Sequence, residues 1–206
     1  YWNWAERRRG CTMLGLRDQA TAAMPDPDRS FLVASVLAHT APVLLLLAAL
    51  LAGRLAPVGA FRLARVVTAV AFVLALLTTG TLAASAAAAP WAVAIAALAV
   101  LVTGLGCVLV RYAEPYLDGE PGRPRFVRWF CATLAGATMV VAADHLLVLV
   151  VAWLGTSLSL QNLLTFYPDR PAAQMAAHKK FLVSRAADVA MLAAAALLFV
   201  RHDTLS

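Results

Sequence analysis

Six apolar runs, each close to the length of a bilayer crossing, dominate this chain: Phe31–Leu51, Val66–Ala84, Trp91–Val110, Val127–Ala143, Leu146–Leu164 and Phe181–Val200. A spanning helix needs about 20 predominantly apolar residues, because each residue advances ~1.5 Å and the hydrocarbon core is ~30 Å thick. The fold class expected is therefore all-α, a polytopic transmembrane bundle of six helices. A content of 62% hydrophobic and 14% charged residues excludes an ordinary soluble domain. Val127–Ala143 is the shortest run and is expected to extend back through Phe126 and Arg125. Val127 to Leu164 is too long for one helix, and Asp144-His145 is where it breaks, in a tight hairpin at the membrane surface.

The net charge of +6 does not point to nucleic acid, because the basic residues flank apolar runs and act as topology signals. The connections after the first, third and fifth runs carry ten Arg and Lys (Arg54, Arg62, Arg65, Arg111, Arg123, Arg125, Arg128, Arg170, Lys179, Lys180), against Arg201 after the sixth. The odd-numbered connections are thus expected in the cytoplasm, with the first helix starting outside. Residues 1–23 conflict with this, since Arg7, Arg8, Arg9 and Arg17 would then lie outside and no apolar run there could serve as a signal peptide. Met24 is expected to be the natural start, with 1–23 a mis-called extension; a genuine basic leader is the alternative. Ser206 directly follows the sixth run, so the chain is expected to be the front part of a longer protein.

Cys11, Cys107 and Cys131 have no metal-ligand spacing, and the latter two sit in apolar runs as small buried side chains. The alanine runs and Gly104, Gly106 and Gly136 suit close helix approach. His145 is expected to be exposed or capping at the hairpin, and His39 to be satisfied beside a kink at Pro42. Asp169-Arg170-Pro171 reads as a turn that starts the sixth helix. No glycine-rich phosphate loop, nucleophile motif or metal cluster is present, so neither a catalytic site nor a cofactor is expected in this chain.

Charge inside the last run is the strongest functional signal. The helix-length segment from Ala176 to Val200 has Asp188 at its centre and Arg185 three residues before it, about 60° apart on the helix and able to pair. A charge at the bilayer centre costs on the order of 3 kcal/mol, so such residues face a partner or a wetted cavity and mark ion or proton pathways. A structural ion pair that fixes packing is the competing explanation. The fifth run carries Thr156, Ser157, Ser159, Gln161 and Asn162 near its cytoplasmic end. Ser157 and Gln161 share a face, as a channel wall or as interhelical hydrogen-bonding groups. Lys180 suits a snorkelling anchor.

From Arg111 onward the wording is more specific. Arg111-Tyr112, Tyr116, Arg125-Phe126, Ala143-Asp144-His145-Leu146-Leu147, Trp153, Gly155 and Ala177 through Asp188 resemble the front of the proton-antiporter membrane subunits, which include subunit L of respiratory complex I and the large subunit of Mrp-type antiporters. The resemblance covers about residues 108–206 and makes 111–206 the start of an antiporter-like core, behind three amino-terminal helices in 24–110. Respiratory members have a pathway glutamate between that Trp and Gly, where this chain has Leu154. The phrases Tyr116 to Gly122, Thr156-Ser157-Leu158, Phe166 to Ala173 and Lys179 to Arg185 are closer to the membrane subunit of the DAB inorganic-carbon accumulation complex.

The resemblance implies a subunit of a bacterial inner (plasma) membrane that passes protons or another cation. It also implies a large peripheral zinc-binding partner, similar to a carbonic anhydrase, that holds the zinc. Lys179 matches the family's lysine, and Asp188, Arg185, Lys179, Ser157 and Gln161 are the implied pathway residues. The alternative it leaves is a subunit L-like component of an NADH-quinone oxidoreductase, or an Mrp-type antiporter.

Overall fold

A computed structural model describes residues 29–84, 89–167 and 171–202. They form six helices: α1 (Arg29–Ala52), α2 (Pro57–Ala84), α3 (Pro90–Tyr116), α4 (Arg123–Val141), α5 (Leu146–Leu164) and α6 (Pro171–His202). Each apolar run is a helix, and the break at Asp144-His145 is where the sequence places it. Expectations about residues 1–23, Met24, Cys11 and Asp169-Arg170 fall outside the described residues. Pro171 opens α6, a position where a missing N–H costs nothing.

Most helices exceed their apolar runs, so Arg62, Arg65, Arg111, Arg125, Arg128, Lys179 and Lys180 lie within helices and not in loops. Five helices are long and apolar enough to cross a membrane. The exception is α4, whose first six residues include Arg123, Arg125 and Arg128. It is also the hub of the bundle, packed against α1, α2, α3 and α5. A helix surrounded by protein does not need an apolar surface all round.

The basic ends gather at one end of the bundle. Arg65 pairs with Glu114 at 3.2 Å, Arg123 pairs with Asp118 at 2.7 Å and donates to the Glu114 carbonyl at 3.1 Å, and Gly53 lies beside the Arg128 side chain. Phe61, Phe126, Phe130, Phe166 and Tyr167 stack in a chain beneath them, joining α2, α4 and the end of α5. The main core also lies in this half, built from Leu45, Ala49, Phe61, Ala64, Val110, Val127, Cys131 and Ala135.

Small residues set the spacing, as the sequence suggests. A Cβ on Gly106 would lie 2.6 Å from a Leu134 methyl, and one on Gly136 would run into the Thr156 hydroxyl and backbone. Buried Thr68, Thr78, Thr103 and Thr138 each donate to the carbonyl four residues back on their own helix. Their hydroxyls are thereby satisfied and their methyls are free to pack.

Candidate functional site

α5 and α6 run antiparallel in contact, which brings Trp153 and Ser157, one turn apart, against Asp188 and Arg185. Among the described residues Asp188 is the one charged side chain that is buried, at 4% exposure. Its Oδ2 lies 2.6 Å from Arg185 Nη2, the i, i+3 pair expected from the sequence. Its Oδ1 accepts a hydrogen bond from the Trp153 indole N–H at 3.1 Å. Arg185 also donates to Ser157 Oγ at 3.2 Å and stacks over the Phe181 ring, 5.2 Å from its centroid and inside the ~6 Å reach of such contacts.

Ser157 receives a second cation. Lys180 Nζ donates to the Ser157 carbonyl at 3.1 Å and to its hydroxyl at 3.4 Å. One neutral serine therefore joins Lys180 to the Arg185–Asp188 pair. Three buried polar atoms nearby lack an aligned hydrogen-bond partner: Arg185 Nε, Asp188 Oδ2 and Gln161 Oε1. Such groups carry the cost of lost hydration without full repayment; a fourth, Arg123 Nε, lies at the arginine-rich end.

The structure brings together Asp188, Arg185 and Ser157 of the sequence-derived set, and leaves Gln161 half-buried one turn further along the same face of α5, with its Oε1 enclosed. Lys179 is exposed and outside the cluster, while Lys180, read from the sequence as an anchor, is inside it. Neighbours on a helix diverge by ~100°, so only one of two adjacent lysines can face α5. Trp153 is the other member not singled out as a site residue. Its signal was spacing, since Trp153, Ser157 and Gln161 fall at i, i+4 and i+8 on one stripe.

Two further polar groups of α5 bond back to their own helix. Thr156 donates to the Ala152 carbonyl at 2.7 Å and Asn162 to the Leu158 carbonyl at 2.9 Å. His178 is exposed, its ring nitrogen 3.2 Å from the Gln174 carbonyl. His145 caps α5, its Nδ1 accepting from the Leu147 N–H at 3.2 Å, and His39 is held by the Ser35 carbonyl at 2.9 Å.

Residues 143–206 match the family described as NADH:quinone oxidoreductase/Mrp antiporter, TM. The chain is 38% identical over 117 residues to the probable inorganic carbon transporter subunit DabB of Hydrogenovibrio crunogenus, covering 54% of this chain and 23% of the relative. It is 43% identical over 101 residues to the probable inorganic carbon transporter subunit DabB2 of Halothiobacillus neapolitanus, covering 49% and 18%. To NADH-quinone oxidoreductase subunit L of Escherichia coli it is 35% identical over 106 residues, covering 52% and 17%. The chain thus spans about a fifth of the length of these relatives. These matches bear out the resemblance to proton-antiporter membrane subunits, and the matched residues 143–206 hold the whole Trp153–Asp188 cluster.

Proposed function

We propose that this chain forms the front of a membrane subunit that passes protons or another cation down their gradient and couples that flux to inorganic-carbon uptake. In this proposal 111–206 starts the antiporter-like core and 24–110 supplies three supporting helices. The observation that carries it is the cluster in α5 and α6: a buried carboxylate at mid-span, held by an indole N–H on one oxygen and a guanidinium on the other. A carboxylate buried in a membrane-spanning helix is costly and marks a functional site by default, and the unpaired polar atoms beside it suit a pathway that accepts a moving charge.

The carbon-uptake branch is favoured by Leu154 and by two relatives named as probable inorganic carbon transporter subunits. Leu154 cannot ionise, so the pathway here draws on Asp188 and Lys180 rather than on a carboxylate of α5. The expected partner is a peripheral zinc-binding subunit similar to a carbonic anhydrase, which would keep the zinc chemistry outside this chain, at a bacterial inner membrane. A subunit of an NADH-quinone oxidoreductase is the second proposal, favoured by the identity to subunit L.

Complementation separates the two. The full-length protein, expressed with its neighbouring gene in a bacterium that lacks carbonic anhydrase, is expected to restore growth in air. It should also drive labelled bicarbonate accumulation that an uncoupler abolishes, and zinc should co-purify with a peripheral partner. Failure there, together with restored NADH-driven proton pumping in a strain lacking subunit L, would overturn the carbon-uptake assignment.

A further inference from the structure

Arg185 is held in a way that its hydrogen bonds alone do not explain. Its polar contacts among the described residues run through one nitrogen: Nη2 meets Asp188 Oδ2 at 2.6 Å and donates to Ser157 Oγ at 3.2 Å. Nε is enclosed and has no acceptor. A planar group fastened at one corner can pivot about it, so these contacts place Nη2 and leave the guanidinium plane free. Ser157 is moreover a shared anchor, because its hydroxyl also takes Lys180 Nζ at 3.4 Å.

The default course of such a side chain leads away from Asp188. Helical side chains lean toward the N-terminus of their own helix, and a long cationic side chain in a spanning helix snorkels toward the interface. In α6 both tendencies point to the end that opens at Pro171. That end is tied to the aromatic chain beneath the arginines, since Gln174 donates to the Tyr167 carbonyl at 3.1 Å and Tyr167 packs on Phe166.

Phe181 stands in that course. Ala177, Phe181, Arg185 and Asp188 fall at i, i+4, i+8 and i+11 on one stripe of α6. Ala177 and Asp188 are buried there and Phe181 and Arg185 half-buried, whereas Leu182 and Val183, off the stripe, are 69% and 72% exposed. Arg185 Cζ lies 5.2 Å from the Phe181 ring centroid, close enough for the negative face of the ring to hold the guanidinium plane.

We propose that Phe181 is a positioning residue: its ring fixes the Arg185 guanidinium and bars its withdrawal toward the interface, so that Asp188 keeps its counter-charge at mid-span. The functional part of this proposal rests on the reading of Asp188 as a charge carrier.

The test reads the place of Arg185 directly. Full-length protein in inverted membrane vesicles is treated with p-hydroxyphenylglyoxal, a water-borne arginine reagent, and modification is followed by peptide mass spectrometry beside initial uptake rates. In the wild type Arg185 should resist the reagent while the exposed Arg125 reacts, and Asp188→Asn, which removes the main anchor, sets the rate of a released Arg185. Phe181→Leu is apolar but lacks a π face, and should speed modification of Arg185 about fivefold, the equivalent of ~1 kcal/mol, and slow uptake. Phe181→Tyr keeps the face and should return both to wild-type values. Phe181→Met repeats the measurement if Phe181→Leu fails to reach the membrane. Modification of Arg185 at the wild-type rate in the Leu and Met variants, or a Tyr variant that behaves as they do, would overturn the proposal. Faster modification with undiminished uptake would uphold the positioning by Phe181 and count instead against Asp188 as a charge carrier.

Discussion

The Trp153 indole N–H donates to Asp188 Oδ1 at 3.1 Å across the α5–α6 interface, so the one buried carboxylate of the described residues is fixed by a group that can give a hydrogen bond but never take a proton. Arg185, on the other oxygen, cannot release one either. Ser157 is neutral. Within the contact cluster the Asp188 carboxyl and the Lys180 amine are therefore the two groups able to change charge, joined through Arg185 and the Ser157 hydroxyl.

Replacing Asp188 by Asn keeps its size and hydrogen bonding but removes the ionisable group. It also leaves Arg185, a half-buried cation, without its carboxylate, which is expected to lower stability. Asp188→Asn in the full-length complex is expected to abolish gradient-driven uptake. The double change Arg185→Gln with Asp188→Asn removes both charges and should recover the level of protein in the membrane while uptake stays absent. Restored uptake in the double variant would leave the pair a packing role only.

Trp153→Phe tests the indole without emptying the site. It deletes one hydrogen bond to a charged acceptor, worth about 1.5–3 kcal/mol. Uptake is expected to fall about tenfold or more, with membrane level within about twofold of wild type, as judged by immunoblot beside initial-rate measurements. An unchanged rate would show that Arg185 alone positions the carboxylate.

Much of this arrangement was legible beforehand, and the exceptions share a cause. Helices, the break at Asp144-His145, the small residues at Gly106 and Gly136, and the Arg185–Asp188 pair depend on hydropathy, size and spacing along one helix, which a sequence carries directly. Trp153 and Lys180 acquire their roles from the facing of α5 against α6. That rotation depends on packing between helices, and hydropathy is nearly uniform around both, so no apolar stripe announces which side turns inward. The exclusion of α4 from the apolar spans has the same origin: its place at the hub is a tertiary property, while its three arginines are all a local window sees.

The two adjacent lysines give a sharp comparison. Lys180→Gln removes the cation that donates to the Ser157 carbonyl and hydroxyl and should depress uptake strongly. Lys179→Gln alters an exposed side chain and should leave the rate within about twofold, the usual scale of a surface change. Initial rates at matched expression decide this, and the reverse ranking would return the role to Lys179.

Orientation follows from the gathered arginines. A cysteine at Pro121, exposed beside the Arg123–Asp118 pair, should be protected from a membrane-impermeant thiol reagent in intact cells, and a cysteine at Ala87 should react. The background would be the full-length protein with Cys11, Cys107 and Cys131 replaced. Labelling at Pro121 without labelling at Ala87 would invert the topology.

Gly136 offers a test of how tightly the hub holds the site. An added Cβ there would meet the Thr156 hydroxyl, and would approach the Thr156 backbone nitrogen and Cα at 3.1 and 3.2 Å. Backbone cannot rotate aside as a side-chain tip can, so Gly136→Ala must push α4 and α5 apart, at a cost of about 1–3 kcal/mol for overpacking. Because Thr156 is one residue from Ser157, the shift is carried into the contact between Ser157 and Arg185. The expected result is a lower melting temperature of the purified full-length protein together with reduced uptake. Thr156→Ala on the Gly136→Ala background should recover only part of both losses, since it removes the hydroxyl and leaves the backbone contacts. Gly155→Ala serves as the control: it lies on α5 beside Thr156 with nothing within 4 Å of the added methyl, and it should leave both melting and uptake unchanged. Full recovery by Thr156→Ala would mean that the hydroxyl, and not the helix spacing, sets the limit.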